Sequence, residues 1–316
     1  MTSSPLVSVI IATYNQEEIV GRAIESALAQ ITDFPVEIIV GEDCSQDRTR
    51  EIVLGYADRY PGRVRVLCNE KNLFIHRNMI SMMKASSARY IAWLDGDDYW
   101  TDTSKLQKQV TFLEQNPRFS AVVHKVRVLS LDGVVTDPCY PPVDAGEKSV
   151  EDLIDGDFVA SPGIVFRNTL VPRVPEWYYT EALTDWPLWM VLIQDGPFML
   201  TDDVMADYIL HPNSTWSRKG RRYQLEMELR FYARCETLMP HQYLRLIRAC
   251  EGERHARMSR ACIKEGDWKQ ARESARLAAT VPHLRDNATD KLRVLVESHA
   301  PHLLHRIRKY RDLAHD

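Results

Sequence analysis

No stretch of the 316 residues runs to 18 consecutive apolar side chains, so no membrane span is expected. Cysteine is sparse. The six residues, at 44, 68, 139, 235, 250 and 262, form no C-x-x-C pair and have no zinc-ligand spacing. That excludes a zinc module and fits reduced thiols in a cytosolic protein, where the N-x-S/T sequons at Asn213 and Asn287 carry no meaning. The opening Met1-Thr2-Ser3-Ser4-Pro5 lacks the positive region of a secretory signal, and Leu6 to Ala12 is too short for its apolar core. That run reads as a first strand. No G-x-G-x-x-G follows it, which sets aside a dinucleotide dehydrogenase. Low-complexity segments and repeated units are also missing, and no nucleic-acid partner is expected.

Apolar residues make up 45% and charged residues 27% of the chain, an ordinary balance for a globular protein of roughly two domains. The net charge of −4 is unevenly spread: residues 1–216 hold 18 Lys and Arg against 31 Asp and Glu, residues 217–316 hold 22 against 13. Two units with different partners are implied. The basic tail interleaves its cations with acids. That pattern suits plain solvation or contact with the acidic unit, with peripheral contact at an anionic membrane face as the alternative.

Along the first unit, compact apolar runs alternate with helical periodicity. Strands are expected over Val7–Ala12, Val36–Val40, Val64–Leu67 and Tyr90–Leu94, and helices over Glu17–Ile31, Thr49–Tyr60, Met79–Ala85 and Lys105–Glu114. This is the pattern of βαβ units and a mostly parallel sheet. Ala121–Ser130 reads as a strand with a hairpin turn at Asp132-Gly133. The proline-rich stretch 136–149 reads as a loop, and Val150–Ile154 as a short helix. Ser161–Arg167 and Asp203–Leu210 read as strands, with a helix over Asp185–Gln194. After Trp216, Gly and Pro nearly vanish and Arg-rich helical periodicity takes over. Met258–Ala279, centred on Gly266-Asp267-Trp268, resembles a single tetratricopeptide-type hairpin, too little for a solenoid.

Ligands of such sheets collect outside the carboxyl ends of the strands. Three polar clusters lie there: Thr13-Tyr14-Asn15, Glu42 to Asp47, and Asp95-Gly96-Asp97-Asp98. Crowded carboxylates at a strand end call for a cation, and a hard ion such as Mg²⁺ or Mn²⁺ favours one or two carboxylates plus substrate phosphates. The alternative for each cluster is local: a helix cap for the acids, a turn for Asn15.

Taken together these residues resemble the family 2 glycosyltransferases, whose catalytic domain has the GT-A fold. The match runs through Val9–Asn15, Glu42–Thr49, Tyr90–Trp100, Lys105-Leu106-Gln107-Lys108-Gln109, Thr184–Leu188 and Tyr208–His211 to Trp216-Ser217. The resemblance implies a GT-A domain over 1–217, its donor-binding half about 1–130 and its acceptor half about 131–217, followed by a helical domain over 218–316. It implies a nucleotide-diphospho-sugar donor held by Thr13, Tyr14, Asn15, Asp43, Asp95 and Gly96, with Arg77 near the phosphates. Asp97 and His211 would hold Mn²⁺ or Mg²⁺, and Asp98 would assist. Asp185 would be the general base for an acceptor hydroxyl on a saccharide or lipid-linked saccharide, with inversion at the anomeric carbon. Trp186, Trp189 and Trp216 are candidates for stacking on sugar rings, with core or rim packing the default for each taken alone. Association of copies through the helical tail is a further expectation.

Some residues depart from the family pattern. Glu42 stands where an Asp is usual, Asn72-Leu73-Phe74 lacks the usual Gly, and one acid rather than two occupies the base position at Thr184-Asp185. No Q-x-x-R-W motif is present, so a processive synthase is not expected. The rival readings are a non-catalytic sugar-nucleotide or glycan-binding protein, and a scaffold acting through its helical tail.

Overall fold

A computed structural model describes residues 4–211, 216, 219–280 and 288–299. Ser217 of the family match and the sequons at Asn213 and Asn287 lie outside the described residues. The chain divides into two compact units, 1–212 and 213–316.

The first unit is built on one ten-stranded mixed sheet. β1 (Val7–Thr13) is buried along its whole length, as a strand covered on both faces requires, hence its unbroken apolar run. α1 (Val20–Leu28) returns the chain to β2 (Val36–Glu42), and α2 (Thr49–Arg59) to β3 (Val64–Cys68); both strands join in parallel. Val20, Ala23, Ile24 and Ala27 form the buried stripe of α1. α3 (Phe74–Ala85) then carries the chain across to β4 (Tyr90–Asp95), on the other side of β1. The strand order β3-β2-β1-β4 therefore reverses between β1 and β4, and in such sheets the ligand crevice lies at the carboxyl ends of the strands flanking the reversal.

β5 (Tyr99–Trp100) and α4 (Lys105–Gln115) lead to β6 (Ala121–Ser130), which forms a hairpin with β7 (Val135–Tyr140) through Gly133 at φ +85°. β8 (Gly146–Lys148) and α5 (Val150–Asp155) follow, then β9 (Ile164–Arg167), α6 (Trp186–Leu192) and β10 (Phe198–Leu210). β9 lies antiparallel between β4 and β6, and β10 runs parallel to β6.

Two expectations are corrected here. The stretch 136–149 is not all loop: β7 and β8 lie in it, at the margins of the sheet where Pro138 needs no ladder N–H. The third helix begins at Phe74, five residues before the expected start, because Phe74, Ile75 and His76 fall outside the apolar stripe that marks its core face.

The second unit is helical: α7 (Arg221–Leu238), α8 (Leu244–Glu265), α9 (Trp268–Thr280) and α10 (Ala288–His299). Gly266 at φ +79° turns α8 into α9, as a left-handed helix end favours glycine. Ala271, Ser274, Ala275 and Ala278 form the buried face of α9. Ser259 Oγ of α8 donates to Ala271 O at 2.8 Å. Arg254 of α8 pairs with Glu228 of α7 at 3.2 Å in the interior. No helix of the described residues is long and apolar enough to cross a membrane.

Candidate active site

The crevice at the β1–β4 reversal is walled by the three polar clusters. Thr13 closes β1, buried, with its hydroxyl donating to Gln16 Oε1 at 2.7 Å. Gly96 donates its N–H to Ala12 O at 3.0 Å, and a Cβ there would stand 2.9 Å from that same oxygen. Only glycine lets the turn after β4 lie this close to β1. Asn15, in the left-handed region at φ +51°, accepts from Gln46 N at 2.7 Å, while its own N–H donates to Ser45 Oγ at 3.0 Å. Tyr14 is left 43% exposed between them.

Asp43 is buried at the end of β2. Its Oδ1 accepts from Leu73 N at 2.7 Å and from Asn69 Nδ2 at 2.9 Å. Glu42, at the position where the family usually has an Asp, is fully buried. It accepts from Ser45 N at 2.6 Å and pairs with Arg50 at 2.5 Å, so it shapes the turn beside Asp43.

The three carboxylates after β4 are not equivalent. Asp95 accepts from Trp93 Nε1 at 3.0 Å and from Ser161 Oγ at 2.7 Å; burial, with Asp97 next, pushes its carboxyl up to about 7. Asp98 is buried and accepts Ile209 N of β10 at 2.8 Å through Oδ1, while its Oδ2 is enclosed without a partner. Burial and then Asp97 and Asp95 raise its pKa well above the ordinary value. Asp97 faces His211, whose Nε2 lies 2.7 Å from Asp97 Oδ2, and that hydrogen bond raises the imidazole pKa.

Among the described residues no three His, Cys, Asp or Glu side chains converge as a metal cage. The pair Asp97 and His211 does converge, from segments more than a hundred residues apart. An oxygen and an imidazole nitrogen suit an ion whose remaining positions are taken by phosphate oxygens and water.

Asp185 is the N-cap of α6, with Oδ1 accepting from Trp186 N at 2.9 Å. Burial raises its pKa above the ordinary value. Its charge reaches Asp95 and Tyr208, and Asp97 acts on the same two groups.

Three neighbours of Asp185 have no sign in the sequence. Asp157, after α5, accepts from Val159 N at 2.9 Å and is pushed well above its ordinary value by burial and then by Asp185. A second acid, from a separate segment, thus neighbours Asp185. His76 of α3 places Nε2 3.3 Å from Leu183 O, and burial lowers its pKa. Its ring meets Tyr178 edge-on at 4.8 Å. Tyr178 is fully buried, and its hydroxyl has no partner.

Other expected residues go elsewhere. Arg77 stacks over the Tyr179 ring at 4.6 Å, and no hydrogen bond or ion pair of the described residues joins it to the Asp95–Asp98 turn. Trp186 and Trp189 are core, not sugar platforms: both are buried, Trp186 Nε1 donates to Leu153 O at 2.9 Å, and Trp189 packs edge-on against Trp93 and Phe166. Trp216 falls in the other unit.

Comparison with known proteins gives a consistent picture. The family model "Glycosyl transferase family 2" matches residues 8–135. The UDP-Glc:alpha-D-GlcNAc-diphosphoundecaprenol beta-1,3-glucosyltransferase WfgD of Escherichia coli is 38% identical over 228 residues, 71% of this chain and 85% of WfgD. Uncharacterized proteins of Mycobacterium tuberculosis and Mycobacterium bovis are 34% identical over 210 residues, and the chain spans 60% of their length. Among solved structures, S. aureus TarS 1-349 in complex with UDP-GlcNAc superposes with a TM-score of 0.66 at 19% identity, over 93% of this chain and 89% of that one. The mannosyltransferase PcManGT from Pyrobaculum calidifontis, in complex with GDP-Man and Mn2+, gives 0.60 at 16% identity over 95% and 82%. These two share the GT-A fold with this chain. With the signature segment matched and a relative covered across most of its length, the chain belongs to glycosyl transferase family 2.

Proposed function

We propose that this protein transfers a sugar from a nucleoside-diphosphate sugar to an acceptor hydroxyl, with inversion, in the making of a surface polysaccharide or glycan. UDP is the favoured carrier. The acceptor is a saccharide or lipid-linked saccharide, in line with the activity in WfgD's name. The observation that carries the reading is the meeting of Asp97 with His211, from segments more than a hundred residues apart, beside Asp95 and Tyr208, on which Asp185 also bears.

Thr13, Tyr14, Asn15 and Asp43 would take the nucleoside at the rim, and Gly96 lets the donor's diphosphate approach the β4 turn closely. Asp97 and His211 would hold Mn²⁺ or Mg²⁺. Such an ion, when bound, neutralises charge on the departing diphosphate. Asp185 takes the proton of the acceptor hydroxyl. The acceptor oxygen then bonds to the anomeric carbon as the bond to the diphosphate oxygen breaks, and its electron pair leaves with the nucleoside diphosphate. A single displacement inverts the centre. Burial favours the reaction, because a carboxylate whose pKa is lifted toward neutrality is a stronger base than an exposed one.

A thermal-shift screen of UDP- and GDP-sugars, with and without Mn²⁺, tests the reading. A ligand held at a hundred times its Kd stabilises the folded state by about 2.7 kcal/mol. A melting temperature that no sugar nucleotide moves, with or without the ion, refutes it.

A further inference from the structure

Among the described residues, the non-glycine positions with positive φ are three: Asn15 at +51°, Cys44 at +61° and Phe74 at +62°. They sit on the turns that follow β1, β2 and β3, side by side at one rim of the sheet. Asparagine tolerates the left-handed region, but a bulky aromatic is strained there. The fold gives Phe74 no packing in return, since it is 74% exposed. Strain kept at an exposed position points to a use outside the core.

The hydrogen bonds fix the backbone that carries that ring. Asn72 Oδ1 accepts Phe74 N at 2.8 Å. The preceding residue, Leu73, donates its N–H to Asp43 Oδ1 at 2.7 Å. Asp43 in turn donates its own N–H to Thr13 O at 3.1 Å, and the residue after Thr13 is Tyr14, itself 43% exposed. Asp43 is thus tied to both flanking turns, and the residue after each tie is an exposed aromatic. Asp43 Oδ1 is taken by Leu73 and Asn69, while the described residues give Oδ2 no hydrogen bond. A free carboxylate oxygen with an exposed ring on either side suits a flat heterocycle bearing an N–H at its edge.

We infer that Phe74 is a donor-binding residue: it covers the base of the donor nucleotide from the β3 side, opposite Tyr14 and Asp43, which the donor reading already assigns to the nucleoside. The inference rests on the donor reading above and adds a contact to it. Every base presents a π-face, so the second ring raises affinity for the nucleotide without choosing among bases.

The test titrates UDP and GDP, each with Mn²⁺, into the full chain and into Phe74→Gly and Phe74→Trp, and records the melting temperature of each protein without ligand. Glycine is at ease at this φ, so Phe74→Gly melts no lower than the parent. Its Kd for the nucleoside diphosphate rises about tenfold, the loss of one stacking face. Phe74→Trp keeps a face and binds within about twofold of the parent. Phe74→Gly binding as tightly as the parent, or Phe74→Trp binding as weakly as Phe74→Gly, overturns the inference alone. A parent that binds neither UDP nor GDP takes the donor reading down with it.

Discussion

Asp185→Asn separates folding from chemistry at the position where the two overlap most. As N-cap of α6, Asp185 accepts Trp186 N at 2.9 Å through one oxygen. Asparagine keeps that oxygen and ranks with aspartate as a cap, so the helix start is retained. What is lost is a negative charge. In the parent, burial raises the carboxyl pKa above its ordinary 3.8. Its neutral form is therefore favoured by folding. The associated stability is full below the ordinary value and is lost as pH rises through the raised one. Asparagine has no such loss, so the variant melts at or above the parent at pH 8 and equals it in acid. The rate moves the other way. Without a base to take the acceptor proton, kcat falls by about 10²–10⁴, an increase of about 2.7–5.4 kcal/mol in the barrier. Donor binding is unchanged, because the role proposed for Asp185 is toward the acceptor. The assay is release of nucleoside diphosphate with an acceptor the parent turns over, paired with titration of the donor nucleotide. A variant that transfers at the parent rate shows that another group is the base. A variant that loses donor affinity along with transfer shows that Asp185 holds the donor instead.

Asp157→Asn keeps the oxygen that accepts Val159 N at 2.9 Å and leaves the acid limb of the pH–rate profile in place, because burial and then the charge of Asp185 already disfavour ionisation of Asp157; a limb displaced to lower pH shows that the charge of Asp157 bears on Asp185. Asp97→Ala and His211→Ala each weaken binding of Mn²⁺ in the presence of UDP by at least about tenfold, read from the paramagnetic signal of the free ion, and chelation of the ion from the parent weakens UDP binding in step. Retention of the parent's Mn²⁺ affinity by both variants would place the ion elsewhere. Gly96→Ala drives a methyl group to 2.9 Å from Ala12 O, a backbone atom that cannot step aside without moving β1. The expected cost is about 1–3 kcal/mol, seen as a lower urea midpoint at unchanged slope; an unchanged midpoint means that the turn relaxes freely.

The parallel half of the sheet was legible because parallel strands covered on both faces leave unbroken apolar runs that stop in polar turns, as in Val7–Thr13 and Tyr90–Asp95. Edge elements were not. Pro138 and the neighbouring prolines disguise β7, and Gly146 disguises β8. The segment Lys105–Gln109 was legible as a family match but not in its purpose. Gln109 Nε2 donates to Val122 O at 3.1 Å and to Gly163 O at 2.8 Å, while Lys105, fully buried, donates to Gln109 Oε1 at 2.7 Å and lies 4.2 Å from the Trp100 ring centre. The motif fastens α4 to the centre of the sheet.

The same distinction divides the acidic turn. Asp95, Asp97 and Asp98 look alike as letters, and their spacing offers no reason to prefer one as the ion's ligand. Long-range contacts distinguish them: Ser161 takes up Asp95, Ile209 of β10 takes up Asp98, and Asp97 alone is left facing His211. Two of the three carboxylates hold the far half of the sheet to the β4 turn, and that attachment brings His211 to Asp97. No local pattern encodes these pairings, because each joins segments more than sixty residues apart. Asp157 escaped notice for the same reason: it stands on an irregular stretch after α5, and only the packing of α6 beside it makes it a neighbour of Asp185. Sequence therefore locates the crevice, through the ends of the strands, while the division of labour among its acids is set by which distant backbone or side chain each one meets.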